Sequence, residues 1–191
     1  MQNRFLRTSV LWGLSLALLM VPALVYGEFY IETNNGAITI TGYRGPAGSL
    51  VIPSTINGLP VTGIQTIAFE YGIFTSVIIP NSITNIGAYA FDDCESLTNV
   101  IFPTNLPTMG EGVLEYCTSL TGVTLPNNAG SISQEMFFYC LSLANLTIPN
   151  TVTNIGIDAF EYCVSLTNVT IPDSVTTWIR REFLVFSSKQ P

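Results

Sequence analysis

The chain has 191 residues, 48% of them apolar and only 10% charged, with 6 basic residues, 13 acidic ones and no histidine. This supports a buried core and leaves the surface to Thr, Ser, Asn, Gly and Tyr, since average soluble domains carry roughly 25% charged residues. No Lys or Arg falls between Gly45 and Ile179, a length that holds ten acids, so phosphate neutralisation has nothing to work with and nucleic-acid binding is not expected.

Residues 1–27 read as a secretory signal peptide. Arg4 and Arg7 give a positive start, Val10 to Val21 an apolar run, and Val25-Tyr26-Gly27 a cleavage region. The rival reading is an uncleaved anchor, because the uncharged run from Thr8 to Gly27 approaches the ~20 residues that cross a bilayer. Membrane contact is expected only in that second case. In both, the remainder lies outside the cytoplasm, secreted or on the cell surface or in the periplasm.

Residues 28–52 alternate apolar and polar side chains in three short runs, Phe29 to Thr33, Ala37 to Thr41 and Ser49 to Ile52, with Asn35-Gly36 between the first two. Such runs between Asn, Gly and Pro clusters predict strands and a hairpin. They form an atypical N-terminal β cap, as the exposed core of a stacked-repeat protein requires.

From Pro53 the chain repeats. Pro80, Pro103, Pro126, Pro149 and Pro172 are each 23 residues apart, and Cys94, Cys117, Cys140 and Cys163 keep the same step. A repeat of this length with Leu-x-x-Val-x-(Ile/Leu) strands predicts a mainly β solenoid. Leu97, Leu120, Leu143 and Leu166 begin strands whose inward positions continue through Val100, Val123, Leu146 and Val169. Proline ends each strand, and pairs such as Ile83 and Ile86 or Val152 and Ile155 return the chain along the far side. Ala90-Phe91, Met136-Phe137 and Ala159-Phe160 are expected to close each rung on a short helical or 3₁₀ turn. The first rung is irregular: Ser54 to Pro60 reads as a longer loop, and one residue is missing between Glu70 and Ile73, with Gly72 near the place of the later Cys. The array spans 53–178. After Thr176 the repeat pattern is lost, so 179–191 reads as a C-terminal cap or tail, or as the end of a shortened array.

Rungs of the form Leu-Thr-x-Val-x-Ile-Pro-x-x-Val-Thr-x-Ile-Gly-x-x-Ala-Phe-x-x-Cys-x-Ser resemble the BspA-type, or Treponema pallidum-type, leucine-rich repeats of bacterial surface proteins. The likeness covers about Pro53 to Val175, with departures at Leu114, at Ser133 and at the missing first Cys. It implies a leucine-rich-repeat-like right-handed stack of about five rungs around a parallel sheet, and a role in adhesion.

In a stack, residues one period apart become neighbours, so chemistry is read in columns. Cys94, Cys117, Cys140 and Cys163 are expected as free, buried thiols in a uniform turn with Ser96, Ser119, Ser142 and Ser165, disulfides being the alternative in an exported protein. Four ligands in a straight line do not make a tetrahedral zinc site. Glu70, Asp92, Glu115, Phe138 and Glu161 form a solvated acidic edge, or a weak divalent-cation site. Tyr71, Tyr116, Tyr139 and Tyr162, interrupted by Asp93, form either a packing ladder or a second-choice contact surface. The outward face of the sheet is the first candidate for partner binding: Ser76, Asn99, Asn145 and Asn168 around Gly122, beside Ile78, Ile101, Thr124, Thr147 and Thr170. No unique cluster suggests catalysis, a metal or a cofactor. The expected function is a non-catalytic binding module for a protein or glycan partner, with a ligand-free structural spacer as the alternative.

Overall fold

A computed structural model describes residues 28–167 and 169–178, all as strands, turns and loops. The signal or anchor segment and the tail from 179 lie outside the described residues. No helix of the described residues is long and apolar enough to cross a membrane.

Two antiparallel strands, β1 (Glu28–Asn34) and β2 (Ala37–Arg44), open the chain as a hairpin. Its tip uses positive φ at Asn35 (51°) and Gly36 (77°), the combination that matches the twist of paired strands. Next come β3 (Gly48–Val51), β4 (Thr55–Ile56), β5 (Leu59–Ile64), β6 (Phe74–Ile78) and β7 (Asn85–Ile86). They are followed by β8 (Asn99–Ile101), β9 (Gly122–Thr124), β10 (Ser131–Ile132), β11 (Asn145–Thr147), β12 (Asn154–Ile155) and β13 (Thr177–Trp178).

Five of these strands form one parallel sheet in the order β11-β9-β8-β6-β3. Its register is the 23-residue step made physical: Ser76, Asn99, Gly122 and Asn145 pair in line, as do Ile78, Ile101, Thr124 and Thr147. Because strand side chains alternate, Val77, Val100, Val123 and Leu146 between those two lines point inward and are buried. The far wall is made by β2, β5 and β7, extended by an Ile86–Met109 bridge, and by β10, β12 and β13. Between the walls runs one continuous apolar core that includes Phe69, Phe91, Leu114, Phe137 and Phe160. The hairpin and β3 join this stack directly, since β2 pairs with β5 and β3 with β6 in parallel.

Two local expectations are corrected. Ser54 to Pro60 is not an open loop: β4 and β5 form a small antiparallel hairpin around Asn57 (φ 52°) and Gly58 (φ 76°). The segments expected as helical or 3₁₀ pieces contain no helix among the described residues. They are paired turns, and their alternate N–H groups point to the neighbouring rung instead of back along the chain. Phe69 N donates to Ala90 O, Phe91 N to Val113 O, Leu114 N to Met136 O and Phe137 N to Ala159 O. A backbone N–H has one proton to give, so donation across rungs excludes the i→i−4 bond of a helix.

The rungs stack so closely at Gly87, Gly110 and Gly156 that a Cβ there would lie 2.3–2.4 Å from backbone nitrogen of the preceding rung. Gly87→Ala therefore forces rungs apart and is expected to lower stability by about 1 to 3 kcal/mol, measured by urea unfolding. A stability equal to that of the parent chain would show that the stack yields at this contact.

Candidate functional site

The outward face of the parallel sheet carries two lines of side chains. In one, Ser49, Ser76, Asn99, Gly122 and Asn145 are in register, and Ser76 Oγ donates to Ser49 Oγ at 3.0 Å. In the other stand Val51, Ile78, Ile101, Thr124 and Thr147, of which the three apolar members are exposed by 47%, 38% and 49%. The face is thus apolar toward β3 and hydroxyl-bearing toward β11. Over its middle lies an open groove of about 540 Å³, lined by Asn99, Ile101, Thr124, Asn145 and Thr147 among others. Gly122, lacking a side chain, leaves the Asn line lowest between Asn99 and Asn145.

The expected residues Ser76, Ile78, Asn99, Ile101, Thr124, Asn145 and Thr147 do share this face. Thr170 is exposed one step further on, and Asn168 lies outside the described residues. Val51 belongs with them and was absent from the expected set. Its signal was the alternation Ser49-Leu50-Val51-Ile52, which repeats Ser76-Val77-Ile78-Ile79.

A second surface forms where the rungs turn, over residues 65–72, 87–96, 110–117, 133–140 and 156–163. Of the ten acids between Gly45 and Ile179, all but Asp173 fall on these arcs, whereas neither line of the outward sheet face carries a charge. Tyr71, Asp93, Tyr116, Tyr139 and Tyr162 all adopt positive φ, between 51° and 59°. Tyr116 stacks on Tyr139 at 5.1 Å between ring centroids, Tyr139 lies 4.4 Å from Tyr162, and Phe138 meets Tyr116 and Tyr162 edge-on. Tyr71 stands apart across Asp93 and is 67% exposed.

The acidic column is crowded. Asp92 Oδ1 and Glu115 Oε2 are buried with no hydrogen-bond partner. Desolvation, followed by the Asp93 charge, raises Asp92 to about 6. Desolvation, followed by the Asp92 charge, raises Glu115 to about 7. Beside them Tyr89 Oη donates to Glu135 Oε2 at 3.1 Å and Gln134 Nε2 to Glu111 Oε1 at 2.7 Å. Burial above all, then the Glu111 and Glu135 contacts, raises the Tyr89 phenol. Among the described residues no three His, Cys, Asp or Glu side chains are placed to hold a metal ion.

All four cysteines are free and buried. Each thiol donates to a carbonyl of the preceding rung: Cys94 to Phe69 at 3.2 Å, Cys117 to Phe91 at 3.3 Å, Cys140 to Leu114 and Cys163 to Phe137 at 3.1 Å. Burial pushes the thiols of Cys94 and Cys163 up to about 12, and those of Cys117 and Cys140 well above the ordinary value. The serines two residues on are not part of the buried ladder; Ser96 is exposed and Ser119, Ser142 and Ser165 are half-buried. In the first rung a Cβ on Gly72 would meet the Phe74 ring at 2.3 Å, so that ring fills the space.

A parallel-sheet solenoid whose repeated rungs turn Leu, Val and Ile inward, with a proline after each strand, has the architecture of a leucine-rich-repeat protein. The family described as BspA type leucine rich repeat region (6 copies) matches residues 62–187, and the chain belongs to it. Among solved structures it is similar to a leucine-rich repeat protein of T. pallidum, at 30% identity and TM-score 0.72, over 83% of this chain and 80% of that one. It is also similar to a leucine-rich cell surface protein of Faecalibacterium prausnitzii, at 28% identity and TM-score 0.60, over 84% of this chain and 52% of that one. A leucine-rich repeat protein of Bacteroides capillosus matches at 29% identity and TM-score 0.52, over 63% of this chain and 91% of that one. No curated protein matches the chain.

Two outcomes follow from this chemistry. A thiolate is the reactive form and burial disfavours it, so native protein should take up no thiol reagent on the four cysteines, and unfolded, unreduced protein should take up four labels. Failure of the unfolded chain to react would mean that the cysteines are paired. For Asp92 and Glu115, raised folded-state values mean that the native state binds protons more tightly than the unfolded chain. Their contribution is complete below the ordinary carboxylate range, at about pH 4, and is lost as pH rises through about 6 and about 7. Urea midpoints should therefore fall from pH 5 to pH 8, and Asp92→Asn with Glu115→Gln should flatten that slope.

Proposed function

We propose that the chain is a cell-surface or secreted binding module that holds a protein or glycan partner on the outward face of its parallel sheet and performs no catalysis. The observation that carries this is the open, uncharged groove over Asn99, Ile101, Thr124, Asn145 and Thr147. Amide and hydroxyl groups there suit hydrogen bonding to a polar partner, and Val51, Ile78 and Ile101 supply adjacent apolar contact. Extended sheet faces are the surfaces that solenoids present to partners. A surface location is supported by the description of the F. prausnitzii relative as a cell surface protein. Adhesion is the role implied by the family's place among bacterial surface proteins. The absence of catalysis is supported by repetition: the acids and thiols recur with the rungs and are not gathered into one singular constellation.

The test is capture of proteins and glycans from cell-surface extracts by the immobilised chain, alongside Asn99→Arg and Asn145→Arg. The parent should retain a component that both variants lose, because an added cation and its long side chain obstruct the groove. Equal retention by parent and variants would move the binding surface elsewhere, and no retention at all would favour a structural spacer.

A further inference from the structure

The walls of the stack do not end together at its N-terminal side. The parallel sheet is carried one strand further by β3, and the far wall by the hairpin of β1 and β2. The arc is not: Gly45 to Ala47 takes the chain straight from β2 to β3, whereas Gln65 to Ile73 separates β5 from β6. Within the stack, arc meets arc four times through the same three bonds. Ile67 N, Phe69 N and Tyr71 N donate to Ala88 O, Ala90 O and Asp92 O, and the pattern recurs from residues 89, 91 and 93, from 112, 114 and 116, and from 135, 137 and 139, all at 2.7–3.1 Å. The matching acceptors of the first arc are Thr66 O, Ala68 O and Glu70 O, and no backbone N–H of the described residues donates to them. Ala68 N and Glu70 N are spent within the arc, on Gln65 O and Ile67 O, so this edge offers acceptors alone. Along it Ile67 is 53% exposed, Tyr71 67% and Ile73 60%. Ile67 holds φ 54° at a place where the later arcs have Tyr89, Gly112, Glu135 and Asp158. A β-branched residue is strained in that conformation, and its exposure returns nothing to the chain's own fold, the combination that marks a functional constraint.

We infer that the open edge of the first arc is a docking site for a turn-forming segment of a partner polypeptide, which closes on it as the missing arc. The surface is continuous with an interface that the molecule already builds four times, and that interface fixes what the occupant supplies. It brings three backbone N–H groups in line for Thr66 O, Ala68 O and Glu70 O. It brings apolar side chains to cover Ile67, Tyr71 and Ile73, and Gly, Asn or Asp where the turns need positive φ. This is edge addition of backbone to backbone, with side-chain contacts giving the choice of partner. Two copies of the chain cannot share the edge about a two-fold axis, since that sets carbonyls against carbonyls. The edge lies on the arc and not on the outward sheet face, so this site stands whether or not the proposed groove binds.

The test is a titration of the full chain, followed by fluorescence anisotropy, with a labelled synthetic peptide Gly-Ala-Tyr-Ala-Phe-Asp-Asp. This is the sequence of residues 87–93, an arc whose Tyr89, Phe91 and Asp93 N–H groups make the three bonds within the stack. A second peptide carries ester oxygens in place of those three N–H groups, which keeps the side chains and removes the donors. The first peptide should bind, and the ester analogue should bind at least roughly tenfold more weakly, the worth of the lost hydrogen bonds. Ile67→Asn places a residue tolerated at positive φ, so its urea midpoint should equal or exceed that of the parent while its binding weakens roughly three- to tenfold. Should that variant fail to unfold cooperatively, Ile73→Thr replaces it with the same expectation for binding. Asn145→Arg on the sheet face should change nothing. Equal binding of the two peptides, undiminished binding by the Ile67 and Ile73 variants, or no binding at all would overturn the site. A dimer of the chain alone that Ile67→Asn dissolves would assign the edge to a second copy, and binding that appears only once residues 1–27 are removed would assign it to that segment; each result would overturn the proposal of a partner.

Discussion

Every rung of this protein leaves its backbone half-bonded, and the next rung completes it. The sheet bonds, the far-wall bonds and the arc bonds from Phe69, Phe91, Leu114 and Phe137 all run one period along the chain. Side chains follow the same rule. Thr98 and Thr121 donate to Thr75 O and Thr98 O, and Ser133 Oγ donates to Gly110 O. A single rung has neither a closed core nor satisfied polar groups, so stability is a property of adjacency. The arcs show what adjacency makes possible. Tyr71, Tyr116, Tyr139 and Tyr162 hold positive φ, a conformation that bulky residues seldom take. It persists where flanking bonds on both sides over-determine it.

The same adjacency sorts the surface chemistry. The sheet face and the arc are two of the outward stretches of each turn, and repetition multiplies whatever residue each bears. Neutral residues on the sheet become a neutral strip about 4.8 Å per rung in its advance; acids on the arc become a column of like charges. The column is self-limiting. Burial above all, with the neighbouring acids adding to it, makes Asp92 and Glu115 hold their protons more tightly than free carboxyls, and Phe138 stands in the next place. A ring in that place carries no charge and meets Tyr116 and Tyr162 edge-on, so the acidic column and the aromatic ladder adjoin there.

The periodic part of this architecture was legible because registration converts spacing into contact. Pro80 to Pro172, the Leu and Val rows and the Cys row could be placed without coordinates, and so could the shared outward face of Asn99 and Asn145. What escaped was local geometry decided between rungs. The arcs carry Ala-Phe pairs that suit a helix, and nothing within one rung reveals that Phe91 N is claimed by Val113 O. Asn57-Gly58 carried a hairpin signal that the loop-like Ser54 to Pro60 obscured. Val51 was overlooked because its strand falls before the first proline in step, where the cap and the stack merge.

The N-terminal end shows how a stack of repeated rungs is closed. At the start, Phe29, Tyr43, Phe69 and Phe74 form a connected aromatic group with centroids 5.0–6.4 Å apart, and Phe69 stacks on Phe91 at 4.9 Å. The one-residue deletion serves this group. It brings Phe74 against Gly72, where later rungs have a thiol, and exchanges a small side chain for a ring. Toward the other end, Phe160 is 8% exposed while its counterparts Phe91, Leu114 and Phe137 have none. The parallel pairing of Ile155 with Trp178 carries the far wall one step beyond it. At the N-terminal boundary an aromatic ring therefore fills the space that a thiol takes in the later rungs.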